Sequence, residues 1–355
     1  MIPPLMSAVL LNGHGGLDQL AYRTDVPVPR PGLSEVLIEV GAAALNNTDL
    51  NLRMGWYSKT VATSTAETTA GDTVHQDAGW SGAALSFPRI QGVDACGRIV
   101  AVGVGVSSDR LGERVLIDPI LRDPDGRTRY FGSDCPGAFA NFTVVPSANA
   151  CRIDSPLSDA ELASFPCAYL AAEHMLTKAS VTANECVLIT GASGGVGSAA
   201  VQLATLRQAR VIAISQPTKI ASVKSLGAYQ VLSRDQALVD ALGAHSVDVV
   251  IDVVGGPAFT SLLAVLKPHG RYAVAGAIAG PLVSLDLRTL YLKDLSFFGC
   301  TIPPPAIFQQ LIHYLQCGAL KPIISARFPL SELAQAQAAF LQKSHIGKIV
   351  IQVKS

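Results

Sequence analysis

Apolar and polar positions follow different patterns in two parts of the 355-residue chain: the first 150 residues, and the residues from about 185 on. In the first part, short apolar runs are separated by Gly, Pro, Asn and Asp, a pattern typical of strands joined by turns. These runs are Val36–Val40, Gly97–Val102, Arg114–Ile117 and Ala140–Val145. The sequence Asp123-Pro124-Asp125-Gly126 predicts a hairpin turn. The first part of the chain is therefore predicted to be rich in β-structure.

The second part alternates predicted strands with predicted helices. Its compact apolar strands are Val187–Thr190, Val211–Ser215, Val247–Val254, Arg271–Ala275 and Leu295–Gly299. Helical runs follow the first two strands at Ser198–Gln208 and Lys219–Leu226. This alternation predicts an α/β fold with a doubly wound parallel sheet of the Rossmann type. A second helix–strand pattern, at 331–343 and 348–353, closes the chain.

Composition narrows the classes of protein that the chain can belong to. Hydrophobic residues make up 49% of the chain, and 27 basic residues balance 27 acidic ones. A neutral chain has no general attraction for nucleic acid or for an anionic membrane. The seven cysteines are odd in number and scattered, which is typical of reduced thiols. Because we also find neither a signal peptide nor a long apolar span, we expect a cytoplasmic protein.

A glycine-rich turn lies between the first strand and first helix of the α/β part. Its sequence is Gly191-Ala192-Ser193-Gly194-Gly195-Val196-Gly197. Glycines let backbone N–H groups approach a phosphate, and the helix N-terminus adds the positive end of its dipole. We therefore expect this turn to hold the pyrophosphate of a dinucleotide, with a turn that binds nothing as the alternative.

The residues after the turn favour NADP(H) over NAD(H). NAD-specific sites place an acidic residue at the end of the second strand, where it binds the ribose 2′-hydroxyl. This chain has no acidic residue from Ala192 through Arg234 and offers Ser215, Lys219 and Arg234 instead. A cation there would attract a 2′-phosphate. The alternative for Lys219 is a solvated helix lysine.

Several motifs together resemble the medium-chain dehydrogenase/reductase superfamily, specifically its zinc-independent, quinone oxidoreductase-like branch. Besides the glycine turn, the resemblance is carried by Asn46-Asn47-Thr48-Asp49, Arg53–Tyr57, Pro88–Asp94, Gly137–Ala140, Asp252–Gly256 and Gly347–Val350. It implies a GroES-like β-barrel catalytic domain over 1–165 and 306–355, and a Rossmann NADP(H)-binding domain over 166–305. It also places the active site in the cleft between them.

The resemblance implies further contacts to the cofactor. Residues after the fourth and fifth Rossmann strands should pass the ribose and the nicotinamide amide: Val253, Val254, Gly255, Gly276 and Ala277. Lys348 matches a C-terminal lysine directed toward the cleft, with a surface lysine as the alternative. Relatives are homodimers or homotetramers, and Leu295–Gly299 would be the pairing edge strand.

Metal-dependent relatives use a Cys, a His and a Cys to hold catalytic zinc. The matching positions here are Asn46, Val93 and Cys167. Valine cannot ligate a metal, and an amide is a poor zinc ligand. We therefore expect no zinc site, and a stray site from His75, Cys96 or Cys135 lacks support. Cys167 is interpreted as a small buried residue rather than a reactive one.

Without a metal, the accessible reactions are hydride transfers to activated acceptors such as quinones and α,β-unsaturated carbonyls. Tyr57 is the first candidate hydrogen-bond donor and Asn46 the second. The alternatives are an aromatic packing residue for Tyr57 and a local turn residue for Asn46. A zinc-free alcohol or aldehyde dehydrogenase, or an NADPH-binding protein with little turnover, remains a competing reading.

Residues 58–87 depart from the superfamily pattern. They are rich in Ser, Thr, Ala and Gly, include His75 and Trp80, and predict a long loop inserted in the catalytic domain. We interpret the insert as a lid or a substrate-selecting wall, with a surface loop or dimer contact as the alternative.

Overall fold

The computed structural model describes residues 1–68 and 76–354, and these divide into two compact units. The first unit comprises Met1–Val61, Thr68–Cys167 and Phe308–Ser355, and the second comprises Ala62–Glu67 and Ala168–Ile307. His75, which was considered above as part of the inserted loop and as a stray metal ligand, lies outside the described residues.

The strands are numbered along the chain. They are β1 Leu5–Leu11, β2 Leu20–Pro27, β3 Glu35–Ala44, β4 Arg89–Ile90, β5 Asp94–Val102, β6 Arg114–Ile117, β7 Ile120–Arg122, β8 Thr128–Tyr130, β9 Phe142–Pro146, β10 Ala150–Arg152, β11 Cys186–Ile189, β12 Arg210–Ser215, β13 Gln230–Ser233, β14 Val247–Asp252, β15 Leu266–Val274, β16 Ser296–Gly299, β17 Ile324–Pro329 and β18 Lys348–Gln352.

The α-helices are numbered in the same way. They are α1 Asn47–Met54, α2 Asp159–Leu162, α3 Pro166–Lys178, α4 Gly195–Leu206, α5 Ile220–Lys224, α6 Leu238–Leu242, α7 Phe259–Val265, α8 Leu287–Tyr291, α9 Pro305–Gln316 and α10 Leu333–Leu341. No helix in the described ranges is long and apolar enough to cross a membrane.

The first unit, where the resemblance implied a GroES-like domain, is built mainly on antiparallel strands. Its largest sheet has the order β10-β6-β5-β3-β18-β17, with β9 paired to β3. The C-terminal strand β18 pairs with β3, so the end of the chain completes the sheet that the beginning starts. Side chains such as Ile38, Val115 and Ile349 fill the core below this sheet. The Asp123–Gly126 turn joins β7 to β8 as predicted.

The second unit is a doubly wound parallel sheet. Its strand order is β13-β12-β11-β14-β15-β16, which is the 3-2-1-4-5-6 order of the Rossmann fold. In β14, Val247, Val249, Val250 and Ile251 are all fully buried. An apolar run with no alternation is what a strand covered on both faces requires.

The sequence pattern missed the hairpin of β1 and β2. β1 has the sequence LMSAVLL, which lacks a strict alternation of apolar and polar residues. The inserted loop also differs from expectation, because Ala62–Glu67 groups with the second unit rather than the catalytic domain. There the backbone N–H of Thr65 donates to the carbonyl of Ile278 at 3.0 Å.

Candidate active site

A buried polar cluster in the first unit is built on Asn46, the residue that precedes α1. Its Nδ2 donates to Asp94 Oδ2 at 2.9 Å, and its Oδ1 accepts from Lys348 Nζ at 2.5 Å. Lys348 Nζ also lies 2.8 Å from Asp94 Oδ2. The three residues are each at most 7% exposed. The Asn46 side chain is therefore held between a cation and an anion.

Asp49 fixes the start of α1 from inside the same cluster. Its carboxylate accepts from Asn46 N at 2.8 Å and from Gly92 N at 3.2 Å. Burial raises the pKa of Asp49 to about 7, although these N–H groups and the charge of Lys348 act in the opposite direction. Asp49 thus ties α1 to the segment that leads into β5.

Tyr57 follows α1 directly, after Gly55 ends the helix in a left-handed conformation. Its hydroxyl donates to Thr48 Oγ1 at 3.2 Å. Burial raises the pKa of Tyr57 above its ordinary value. The phenol therefore stays protonated at neutral pH and keeps its capacity to donate.

Cys167 joins this cluster through both its backbone and its thiol. Its N–H donates to Asp94 Oδ1 at 2.7 Å, and its Sγ lies 3.2 Å from the hydroxyl of Tyr130. Burial raises the pKa of the thiol to about 12. The thiolate is the reactive form of cysteine, so the environment of Cys167 disfavours its use as a nucleophile.

Tyr130 was not a candidate from the sequence. It ends β8, and Trp80 of the inserted loop stacks on it with ring centroids 4.4 Å apart. Burial raises the pKa of its hydroxyl well above the ordinary value. Only the fold brings this hairpin residue to Cys167, since the two lie 37 positions apart in the sequence.

The three positions that match the zinc ligands of metal-dependent relatives hold side chains that are poor ligands for a metal ion. Val93 is fully buried and apolar. The Oδ1 of Asn46 already accepts from an ammonium group, and Cys167 holds a protonated thiol. In the described part of the chain, no group of three or more His, Cys, Asp or Glu residues could hold a metal ion.

The glycine turn of the second unit connects β11 to α4. Gly191 has φ +56°, and a Cβ on Gly197 would lie 2.2 Å from the carbonyl oxygen of Gly191. Glycine is therefore required at both ends of the turn. Gly194 is the N-cap of α4, and no side chain of the described residues caps the helix there. The first N–H groups of a helix that lack a capping side chain can bind an anionic group such as a pyrophosphate.

The residues expected at the cofactor's adenosine end come together in the second unit. Ser215 ends β12, and its carbonyl accepts from Arg234 N at 2.9 Å. Burial lowers the pKa of Lys219, and the charge of Arg234 lowers it further. The buried Ser215 Oγ has no hydrogen-bond partner among the described residues. A buried hydroxyl without a partner, in a segment that also carries two cations, suits a phosphate oxygen.

Asp252 organises the loop that carries Val253 and Val254. It accepts from Thr190 Oγ1 at 2.6 Å, from Tyr272 OH, and from the N–H groups of Val254 and Gly255. No role was predicted for Asp252, although it opens the Asp252–Gly256 motif of the superfamily resemblance.

Gly276 and Ala277 lie beside this loop. A Cβ on Gly276 would be 2.9 Å from the carbonyl oxygen of Val253, and one on Gly255 would be 3.1 Å from Ala277. Four of the five positions expected after β14 and β15 are thus brought together, and the fifth, Val254, belongs to the same loop. Lys348 belongs to the first unit and lies there against Asn46 and Asp94; its expected cofactor contact stays a prediction.

Sequence families match most of both units. Residues 32–155 match the alcohol dehydrogenase GroES-like domain, and residues 195–316 match the zinc-binding dehydrogenase family. A solved structure from Sinorhizobium meliloti 1021, provisionally assigned as an alcohol dehydrogenase, is 44% identical, with a TM-score of 0.89 over 99% of this chain and 97% of that chain.

Curated relatives are more distant. The acryloyl-coenzyme A reductase of Metallosphaera sedula is 26% identical over 98% of this chain and 99% of the relative. The quinone oxidoreductase of Lama guanicoe is 28% identical over 99% of this chain and 98% of the relative. With the fold and the motifs, these matches show that the chain belongs to the medium-chain dehydrogenase/reductase superfamily and is an oxidoreductase.

Proposed function

We propose that the protein is a metal-free reductase that transfers hydride from NADPH to a quinone or an α,β-unsaturated carbonyl. The observation that carries this proposal is the engagement of Asn46 by Lys348 and Asp94. An amide oxygen is a weak metal ligand, and the buried ammonium that donates to it repels cations. Conjugated acceptors spread the developing charge and need no Lewis acid.

The second unit supports NADP(H) as the cofactor. The glycine turn and the first N–H groups of α4 would hold the pyrophosphate, while Ser215, Lys219 and Arg234 would hold the 2′-phosphate. The loop positioned by Asp252 would hold the ribose and nicotinamide. When bound, NADPH supplies the hydride.

The first unit would supply orientation and a proton. Tyr57 keeps its hydroxyl protonated and would turn its hydrogen from Thr48 to the developing enolate or phenolate oxygen, which it would stabilise. Asn46 enters as a positioning residue, because its Nδ2 already has acceptors in Asp94 and the carbonyl of Ala44. Thr48 accepts from Tyr57 and retains its own hydroxyl hydrogen.

A competing candidate is a zinc-free alcohol or aldehyde dehydrogenase, which the relative at 44% identity favours. Oxidation of NADPH and NADH is measured with quinones, enones and aldehydes, with zinc content determined in parallel. Turnover of enones or quinones without stoichiometric zinc supports the proposal. Alcohol oxidation with bound zinc contradicts it, and tight NADPH binding without turnover indicates a binding protein.

Cofactor preference has a separate test. Lys219→Ala is expected to lower the kcat/KM preference for NADPH over NADH about tenfold or more, because one charge-assisted contact to the phosphate is lost. Lys224→Ala, at an exposed lysine of the same helical segment, is the matched control. A preference that Lys219→Ala leaves unchanged would contradict the 2′-phosphate site.

We also infer that a second copy of the chain covers one face of the second unit. β16 is the edge of its sheet, and large apolar side chains are exposed nearby, including Leu282 at 73%, Leu287 at 64% and Leu292 at 73%. Such a patch is unusual for a monomer. Light scattering should give a dimer or tetramer that Leu292→Asp weakens; a monomeric wild type would contradict this. The cytoplasmic location stays a prediction.

A further inference from the structure

The part of the inserted loop that belongs to the second unit contains a well-defined turn. In this turn, Ser64–Glu67, the backbone N–H of Glu67 donates to the carbonyl of Ser64 at 3.2 Å. The Glu67 carboxylate also accepts from Ser64 Oγ at 2.7 Å, so a side chain closes the turn a second time. We call Ser64–Glu67 the support segment. Its own hydrogen bonds fix its shape, and the backbone N–H of Thr65 bonds outside it.

The support segment holds the loop that follows β15. Thr65 is only 2% exposed and donates its N–H to the carbonyl of Ile278 at 3.0 Å. The next residue of that loop, Ala279, donates to the carbonyl of Val254 at 2.9 Å. Two successive residues of one loop are therefore held by two different segments: the support segment, and the loop positioned by Asp252.

The supported loop, Gly276–Gly280, has little of its own to hold it in one conformation. It begins and ends with glycine, the residue that loses most backbone freedom on ordering, and it belongs to no helix or strand. A Cβ on Gly256 would lie 2.6 Å from the carbonyl oxygen of Ala279, so the loop packs directly on a neighbouring backbone. Support from outside the loop lowers the number of positions that its backbone can take.

The same loop lies at the ligand-binding edge of the parallel sheet. It follows the carboxyl end of β15, just as the glycine turn follows β11 and the Asp252–Gly256 loop follows β14. Doubly wound sheets bind their ligands at this edge. Hydride transfer needs reacting atoms within about 3.5 Å, and a misplacement of about 1 Å costs on the order of 100-fold in rate. The backbone position of this loop therefore matters even though the loop carries no reactive side chain.

We propose that the support segment positions Gly276–Ala279, and with this loop the nicotinamide, so that Thr65 is a positioning residue for hydride transfer to every acceptor. This inference rests on the proposed reductase function. In that reaction the hydride leaves C4 of the nicotinamide with both electrons of its C–H bond and adds to the acceptor, which then takes a proton. The role differs from that of a substrate-selecting wall, which would favour one acceptor over another.

The position of the loop is tested first in the full chain without cofactor. Thr65 is the second residue of the turn, where proline is favoured, so Thr65→Pro removes the N–H and keeps the turn. The reporters are the amides of Ala279 and Gly280, which donate to Val254 and Ala277. Their hydrogen exchange should become about fivefold faster, because one supporting hydrogen bond is lost. Exchange at the wild-type rate would overturn the proposal.

Three further variants control this test. Thr65→Ser keeps the backbone N–H and the hydroxyl and should exchange like the wild type. Ala62→Pro introduces the same residue at an exposed position whose N–H bonds to none of the residues that the structure describes, and it should also leave exchange unchanged. Glu67→Ala opens the turn and should speed exchange in the same direction, so the test stands even if Thr65→Pro does not fold. Thermal melts identify the folded variants.

Hydride transfer is tested next, with one quinone and one enone. In Thr65→Pro, the single-turnover rate of NADPH oxidation, identified by its primary deuterium isotope effect, should fall about fivefold or more for both acceptors alike. The affinity for NADPH should change by less than about threefold, because the contacts to its phosphates are kept.

Two kinetic outcomes would overturn the proposal. A loss of rate confined to one acceptor would indicate a substrate-selecting wall, and faster exchange with an unchanged hydride-transfer rate would indicate a purely stabilising role. A wild type that reduces no acceptor would instead count against the reductase function. The exchange experiment would still decide whether the support segment holds the loop, so the two failures are distinguishable.

Discussion

Two buried polar sites, one in each unit, treat their polar groups in opposite ways. In the first unit, Asn46, Asp94 and Lys348 satisfy one another, and both oxygens of Asp49 accept from backbone N–H groups. In the second unit, Ser215 Oγ lacks a described partner, and no described side chain caps α4. A closed network holds residues in place, whereas open donors are prepared for a ligand. The contrast agrees with the proposed division of roles, in which the first site positions residues and the second binds the cofactor.

The largest expected effect, a loss of stability, comes from disrupting the network of Asn46, Asp94 and Lys348. Lys348→Met removes the cation beside Asp94, a fully buried carboxylate, and should lower the free energy of unfolding by about 3–5 kcal/mol. Urea denaturation measures this change. Lys354→Met, at an exposed lysine paired with Glu39, should have almost no effect.

The same variant also tests the role expected for Lys348 from the superfamily resemblance. If Lys348 belongs to the closed network, the affinity for NADPH should change by less than about threefold. A tenfold loss of NADPH affinity with stability retained would assign Lys348 to the cofactor and break the contrast between the two units.

A second effect concerns pH. Because burial raises the pKa of Asp49 to about 7, the folded protein keeps a proton that the unfolded chain loses near pH 4. Stability should therefore fall as pH rises through the window from about 4 to 7. Between pH 5 and pH 8, the wild type should lose on the order of 3 kcal/mol more than Asp49→Asn. Parallel pH profiles for the two proteins would show that Asp49 is ionised throughout.

The unpartnered donors of the second unit are tested at the glycine turn. In Gly197→Ala, the new Cβ would meet the carbonyl oxygen of Gly191 at 2.2 Å. Relieving this contact should distort the turn and weaken NADPH binding about 100-fold, a loss of about 2.7 kcal/mol. Gly299→Ala is the control, because nothing lies within 4 Å of its Cβ position. Fluorescence titration measures the affinity of both variants for NADPH. An unchanged affinity in Gly197→Ala would show that the turn does not bind the cofactor.

The smallest effect is expected at Tyr57. Tyr57→Phe removes the hydroxyl and should lower kcat about tenfold while leaving NADPH affinity unchanged, since one hydrogen bond of about 1.4 kcal/mol is lost in the transition state. Tyr22→Phe, at an exposed tyrosine, is the control. Unchanged turnover would mean that Tyr57 packs against the cluster and donates nothing to the substrate.

A structural feature could be predicted from the sequence when the residues that cause it lie close together in the chain. The parallel sheet followed from continuous apolar strands such as β14, and the hairpin at Asp123–Gly126 followed from its turn residues. The pairing of β1 with β2 could not be predicted from β1, because its apolar run has no period. Likewise, no local signal marks Tyr130, whose contact with Cys167 spans 37 positions.

The sequence by itself determined the superfamily motifs, the strand–helix order, and the glycine turn with its acid-free continuation to Arg234. These are properties of residues close together in the chain, where spacing and residue type carry the information. Only the tertiary structure decided that Lys348 meets Asn46 across 302 positions, and that Thr65 of the inserted loop meets Ile278. Partners so distant are selected by packing and by the cost of an unsatisfied buried charge, which no local pattern encodes.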